Sequence, residues 1–142
     1  MHTSIKDCQI ISFFHQNGEK GELVSAHSQE EIPFPIQRMY YLYAVEEDRK
    51  SGHHANIQNQ QVMVALQGKF EVRLYDGKAE KTVLLDKAHE GLLVREGIWR
   101  EVFNFSQDAI CLVFCSEKYQ EEDYIKDWDS FHQLKKQGPS NQ

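Results

Sequence analysis

Short apolar runs separated by polar and turn-forming residues recur along this chain, one of them alternating with period two. Between residues 36 and 116 the apolar positions fall in short runs, rich in β-branched and aromatic residues and closed by turn signals. The pattern predicts strands over 36–45, 61–66, 70–75, 82–85, 91–94, 99–103 and 109–115. The run 70–75 is the clearest. Phe70, Val72 and Leu74 share one face, and Asp76-Gly77 then supplies residues that tolerate the positive φ of a tight hairpin. Strands at this spacing, with no helical period between them, predict an all-β sandwich or barrel and disfavour alternating strands and helices. The period changes only near the end. Tyr124, Ile125, Trp128, Phe131 and Leu134 predict a helix over 121–134 with one buried stripe, and Glu121, Glu122 and Asp123 complement its dipole. A single domain over 1–134 and a polar, frayed tail over 135–142, containing Gly138-Pro139, complete the expected organisation.

Composition narrows the function classes. With 40% hydrophobic residues in 142, the chain can fill a core. Its 16 Lys+Arg against 22 Asp+Glu give a formal charge of -6, and no basic cluster stands out, which argues against nucleic acid as a partner. No apolar run is long enough to span a membrane, so a soluble cytoplasmic protein is expected. Three cysteines, an odd count, suit a reducing compartment. Cys111 and Cys115 fall on one strand face and are expected to pack as small hydrophobes. The early run Ile10-Ile11-Ser12-Phe13-Phe14 is apolar enough to seek a partner sheet, either its own or that of a second copy.

The segment with most chemistry is Ser51-Gly52-His53-His54-Ala55-Asn56. A metal centre needs imidazoles that converge from one face. Regular alternation puts His54 and Asn56 on one face and His53 on the other, and only a bulge would re-aim His53. Where the 99–103 strand would complete a ligand set stands Arg100, a cation that cannot ligate. Neither a metal nor another cofactor is therefore expected. Arg38 and Tyr40 share a face of the 36–45 strand, and a guanidinium there suits a phosphate or carboxylate partner. Trp99 is expected in the core. His2, His15, His27, His89 and His132 have no partner pattern and read as solvated or structural.

Several dispersed runs carry a resemblance. They are Gly21-Glu22-Leu23-Val24, Ile32-Pro33-Phe34-Pro35-Ile36-Gln37-Arg38-Met39-Tyr40-Tyr41, Gly52-His53-His54-Ala55, Gly97-Ile98-Trp99-Arg100-Glu101 and the stretch 116–127. On these the chain resembles the nucleotide-sugar 3,4-ketoisomerases, the WxcM-like group, over nearly its whole length. The resemblance implies a cupin fold, that is a double-stranded β-helix or jelly-roll barrel, with a short C-terminal helix. It implies a metal-free isomerisation of a dTDP-linked 4-keto-6-deoxyhexose through an enediol-like intermediate. It also implies a place in deoxysugar biosynthesis for surface polysaccharides such as lipopolysaccharide O-antigen, and a homodimer that exchanges N-terminal strands. In the group's Arg-Gly-x-His-Ala-His pattern the first His corresponds to His54, which would be the base, and the second to Asn56. Ser51 stands at the pattern's Arg, and Lys20 at an earlier Arg. Arg38, Tyr40, Gln61 and Arg100 match substrate-binding positions, with Gln61 orienting His54 or a sugar hydroxyl. Asn cannot carry a proton at neutral pH, so a nucleotide-sugar-binding cupin with little or no turnover is the alternative.

Overall fold

The computed structural model describes residues 1–137. Twelve strands form in chain order: β1 (Ile10–Ser12), β2 (Phe14–Gly18), β3 (Gly21–Ser25), β4 (Arg38–Leu42), β5 (Ser51–Asn56), β6 (Gln61–Gln67), β7 (Phe70–Tyr75), β8 (Glu80–Leu85), β9 (Glu90–Val94), β10 (Trp99–Phe103), β11 (Ile110–Cys115) and β12 (Tyr124–Ile125). Helix α1 (Trp128–Lys136) closes the described chain. Two five-stranded sheets, β1-β9-β6-β11-β4 and β12-β5-β10-β7-β8, and the separate hairpin β2-β3 make up the fold. All named pairings are antiparallel. The all-β expectation, the cupin-type architecture and the short C-terminal helix hold.

Alternation sets what lies between the sheets. The inward faces of β7, β9 and β11 bury Phe70, Val72, Leu74, Leu92, Val94, Cys111, Val113 and Cys115 in one core. Burial of each large apolar side chain contributes about 1.5–3 kcal/mol. Both cysteines of β11 pack there as free thiols, and burial pushes the Cys111 thiol up to about 12. The outward face of the second sheet buries Ala55 and Trp99 beneath Phe131 of α1, so Trp99 is a core residue.

Three expectations need correction. The helix does not begin at residue 121. Glu121–Asp123 form a single 3-10 turn, Tyr124–Ile125 pair with β5, and the helix starts after Asp127, whose carboxylate caps the Ser130 amide. The apolar spacing of 124–134 is shared by a strand end and a helix, each burying one side, so the period alone joined them. The helix also runs two residues past 134, and residues 138–142 of the expected tail lie outside the described residues. The segment at 51–56 is itself a strand, and it is not regular. Arg100 pairs with His54 but Glu101 pairs with Gly52, leaving His53 as the extra residue of a bulge at φ 56°. Gly52 sits at φ 83°, and a Cβ there would lie 2.9 Å from the Arg100 carbonyl oxygen, so the position excludes a side chain. Finally, the run 10–14 is split. β1 joins β9 of its own sheet, while Phe14 opens the separate hairpin.

Candidate active site

Several polar side chains gather where the ends of five strands meet. The inward positions are the first residues of β4 and β6 (Arg38, Gln61), the second of β10 (Arg100), the last of β5 (His54, Asn56) and the start of β12 (Tyr124). Antiparallel pairing places these strand ends together: Cys115 faces Arg38 on one side and Gln61 on the other, Arg100 faces His54, and Tyr124 faces Asn56. The apolar core forms the floor.

Arg100 and Asn56 are fully buried, as is Gln61. The Arg100 guanidinium donates to Gln61 Oε1 at 2.5 Å and to the Ile98 carbonyl at 3.1 and 3.3 Å. All its partners are neutral, and burial pulls its pKa down. Gln61 Nε2 donates to the Tyr40 hydroxyl at 3.4 Å and to Cys115 Sγ at 3.6 Å. Gln61 therefore links Arg100 to Tyr40, and no hydrogen bond joins it to His54, one of the two partners that the resemblance implies for it, the other being a sugar hydroxyl. Arg38 lies over the Tyr40 ring at 4.7 Å and the Tyr119 ring at 5.2 Å, and donates to the Tyr124 hydroxyl at 3.4 Å. Among the described residues neither guanidinium forms an ion pair with a carboxylate. Arg100 is wholly removed from water, which costs several kcal/mol when no anion accompanies the cation. The two guanidiniums make this meeting of strand ends a positively charged cradle.

His54 lies beside this cradle. Its ring centroid is 4.7 Å from that of Tyr124, and its Nε2 lies 3.2 Å from Asn56 Oδ1. Burial, reinforced by the Arg100 and Lys126 charges, drives its pKa down to about 3; the Gly52 carbonyl and Asn56 oppose the fall. The imidazole is thus neutral at ordinary pH, the state in which it can accept a proton. Burial pushes the Tyr40 hydroxyl up, so it remains a donor.

Not every residue singled out in the sequence reaches this place. His53 is exposed, 3.8 Å from Glu101 on the outer surface; the bulge exists but does not turn it inward. Ser51 is half-buried opposite Val102, beyond the bulge from Arg100. Lys20 stands at the exposed turn of the β2-β3 hairpin, among Gln16, Gly18 and Glu22 and apart from the cradle. His15, His27 and His132 hold local partners: Glu22, Glu31 and Tyr75. The site also contains residues the sequence reading missed. Tyr119, Tyr124 and Asp123 were assigned to the approach and start of a helix. Asp123 accepts from Asn56 Nδ2 at 3.1 Å and from the amides of Gln58 and Asn59 at 2.8 and 3.2 Å. Their signal lay in the stretch 116–127, which matched the resemblance without an assigned role.

An all-β sandwich thus carries, where several strand ends meet, a neutral imidazole beside two guanidiniums that have no carboxylate partner among the described residues. The chain matches the family described as FdtA: WxcM-like, C-terminal over residues 6–136, and it belongs to that family. It is 35% identical over 123 residues to TDP-4-oxo-6-deoxy-alpha-D-glucose-3,4-oxoisomerase of Aneurinibacillus thermoaerophilus, covering 87% of this chain and 88% of that enzyme. A 3,4-ketoisomerase from Helicobacter canadensis superimposes with a TM-score of 0.89 at 36% identity, over 92% of this chain and 98% of the other. QdtA, a sugar 3,4-ketoisomerase from Thermoanaerobacterium thermosaccharolyticum solved in complex with TDP, gives 0.88 at 32% identity, over 91% and 94%. These relatives are isomerases of one reaction class.

Proposed function

We propose that the protein is a TDP-sugar 3,4-ketoisomerase that moves a ketone from C4 to C3 of a 4-keto-6-deoxyhexose. The observation that carries this reading is a half-buried neutral imidazole, His54, paired across the strands with the fully buried Arg100, whose partners are all uncharged. The similarity to named TDP-sugar ketoisomerases supplies the substrate class. His54 takes the proton from C3. The electron pair forms the C3–C4 enediolate, and Arg100 stabilises the charge that develops on oxygen. The same imidazole returns the proton to C4, while the O3 hydroxyl proton is lost and O4 gains one. Atoms and electrons balance with no oxidant. Asn56 cannot carry a proton, so the oxygen-to-oxygen step falls to solvent or to the Tyr40 or Tyr124 hydroxyl. Arg38 binds the diphosphate, and the Tyr119 and Tyr40 rings beside it present flat faces to the rest of the ligand.

Incubation with TDP-4-keto-6-deoxyglucose, followed by proton NMR, tests the reading. Accumulation of a 3-keto isomer is expected. Tight TDP binding with no new sugar species would instead favour the binding cupin without turnover.

A homodimer and a cytoplasmic setting in deoxysugar biosynthesis belong to the same reading. Phe14 and Leu23 of the β2-β3 hairpin and Met39 and Tyr41 on the outer face of the edge strand β4 are exposed, which suits a second copy. Exchange of the hairpin would carry Lys20 onto that copy. Light scattering should return twice the 16.6 kDa chain mass; a monomer at working concentration would remove the dimer and Lys20 with it. No helix among the described residues is long and apolar enough to cross a membrane.

A further inference from the structure

Asp123 has no part in the chemistry above, yet its carboxylate ends a half-buried polar chain that begins at His54 and runs through the fully buried Asn56. Asn56 Nδ2 donates to Asp123 Oδ2 at 3.1 Å, and Asn56 Oδ1 faces His54 Nε2 at 3.2 Å. An amide has one donor end and one acceptor end, and an ionised carboxylate only accepts. If Asn56 were turned the other way, its oxygen would meet the Asp123 carboxylate inside a buried site, two acceptors without a proton between them. Asp123 is itself held: the Gln58 and Asn59 amides both donate to it, and its own amide closes the 3-10 turn on the Gln120 carbonyl. The orientation of Asn56 is therefore dictated from outside the pocket. Its acceptor end, pointed at His54, is satisfied only by a ring that carries its proton on Nε2.

We propose that Asp123 is a positioning residue which, through Asn56, fixes the His54 imidazole as the Nε2–H tautomer. The proposal rests on His54 being the base of the reaction proposed above. The competing acceptor on the ring is the Gly52 carbonyl, which favours a proton there as well. The two tautomers thus differ in which oxygen is served. The carboxylate behind Asn56 makes that hydrogen bond part of a charge-assisted chain, and the Gly52 carbonyl has no such backing. Helix α1 and strand β12 follow directly from Asp123 in the chain, so the same residue that ends the polar chain also anchors the segment bearing Tyr124 against β5.

Long-range proton–nitrogen NMR on histidine-labelled full-length protein reads the tautomer without substrate, with the His54 signals assigned by their loss in His54→Gln. The wild-type ring is expected as Nε2–H. Asp123→Asn keeps an acceptor for the two amides but lets Asn56 turn. In it we expect a mixed or reversed tautomer, a fall in kcat of about 10- to 100-fold and unchanged TDP affinity. Asp123→Glu should recover part of both the tautomer and the rate. A wild-type Nδ1–H ring overturns the proposal, and so does an Asp123→Asn protein with unaltered tautomer and kcat. Loss of TDP binding alongside kcat would mark Asp123 as merely structural, which also overturns it. Should the wild type show the Nε2–H ring yet make no 3-keto product, the functional reading fails while the tautomer assignment stands.

Discussion

Residue by residue, the site divides into groups that hold charge and groups that move protons. Arg38 belongs to the first. Its guanidinium rests on two aromatic faces with no carboxylate beside it. Arg38→Ala should weaken binding of TDP alone by about 10-fold or more, since hydrogen bonds to charged groups contribute about 1.5–3 kcal/mol. Calorimetry with TDP checks this, and unchanged affinity would exclude Arg38 from the diphosphate site. Asn56 belongs to the second group by position but not by chemistry. A histidine there would sit against the Asp123 carboxylate, which favours a protonated ring. Asn56→His should raise kcat with little change in TDP affinity, because it acts on proton transfer and not on ground-state binding; steady-state kinetics and calorimetry separate the two. His54, Asn56, Arg38 and Arg100 were legible in the sequence because each stands at a position that the family resemblance marks, while strand alternation added only that His54 shares a face with Asn56 and Arg38 with Tyr40. The partners of Gln61 were not legible. They depend on which strand ends meet, and that is a matter of sheet order.

Among the elements, the strands were read most easily and the chain ends least. β7 and β10 appear with the bounds expected from their alternation. The bulge in β5 was foreseen only as an option, because a one-residue slip leaves no mark on a six-residue run. Its physical signature is the glycine at position 52, pressed against the Arg100 carbonyl. The segment 121–136 misled most, since Tyr124 and Ile125 satisfy a helical period while pairing as a strand. α1 still does what a buried stripe predicts. Phe131 is fully buried over Trp99 and Ala55, on the far side of the sheet from His54. Phe131→Ala should cost about 3–5 kcal/mol of stability, as large aromatic deletions from a core do. The folded fraction should keep its TDP affinity. Urea unfolding with and without TDP tests both halves of this expectation.

For the molecule as a whole, the buried imidazole links catalysis to stability. Above pH 6.5 His54 is neutral in the folded and unfolded chain alike and contributes no pH dependence. Below that value the unfolded chain binds a proton that the folded site refuses until about pH 3. Stability should therefore fall as pH drops from 6.5 toward 3. Asp76, Glu31 and Asp127, all held below their usual range, add losses of the same sign as they protonate. The His54 share is isolated by comparison with His54→Gln, whose melting temperature should decline less steeply across that window. Parallel curves would contradict a strongly depressed His54. In the reaction proposed above, the neutral ring takes the proton from C3 and returns it to C4. Solvent deuterium tests this most directly. With TDP-4-keto-6-deoxyglucose in heavy water, the wild type should wash deuterium into C3 of the recovered substrate and His54→Gln should not. No label at C3 with the wild type, or equal labelling with both proteins, would contradict a single-imidazole isomerase.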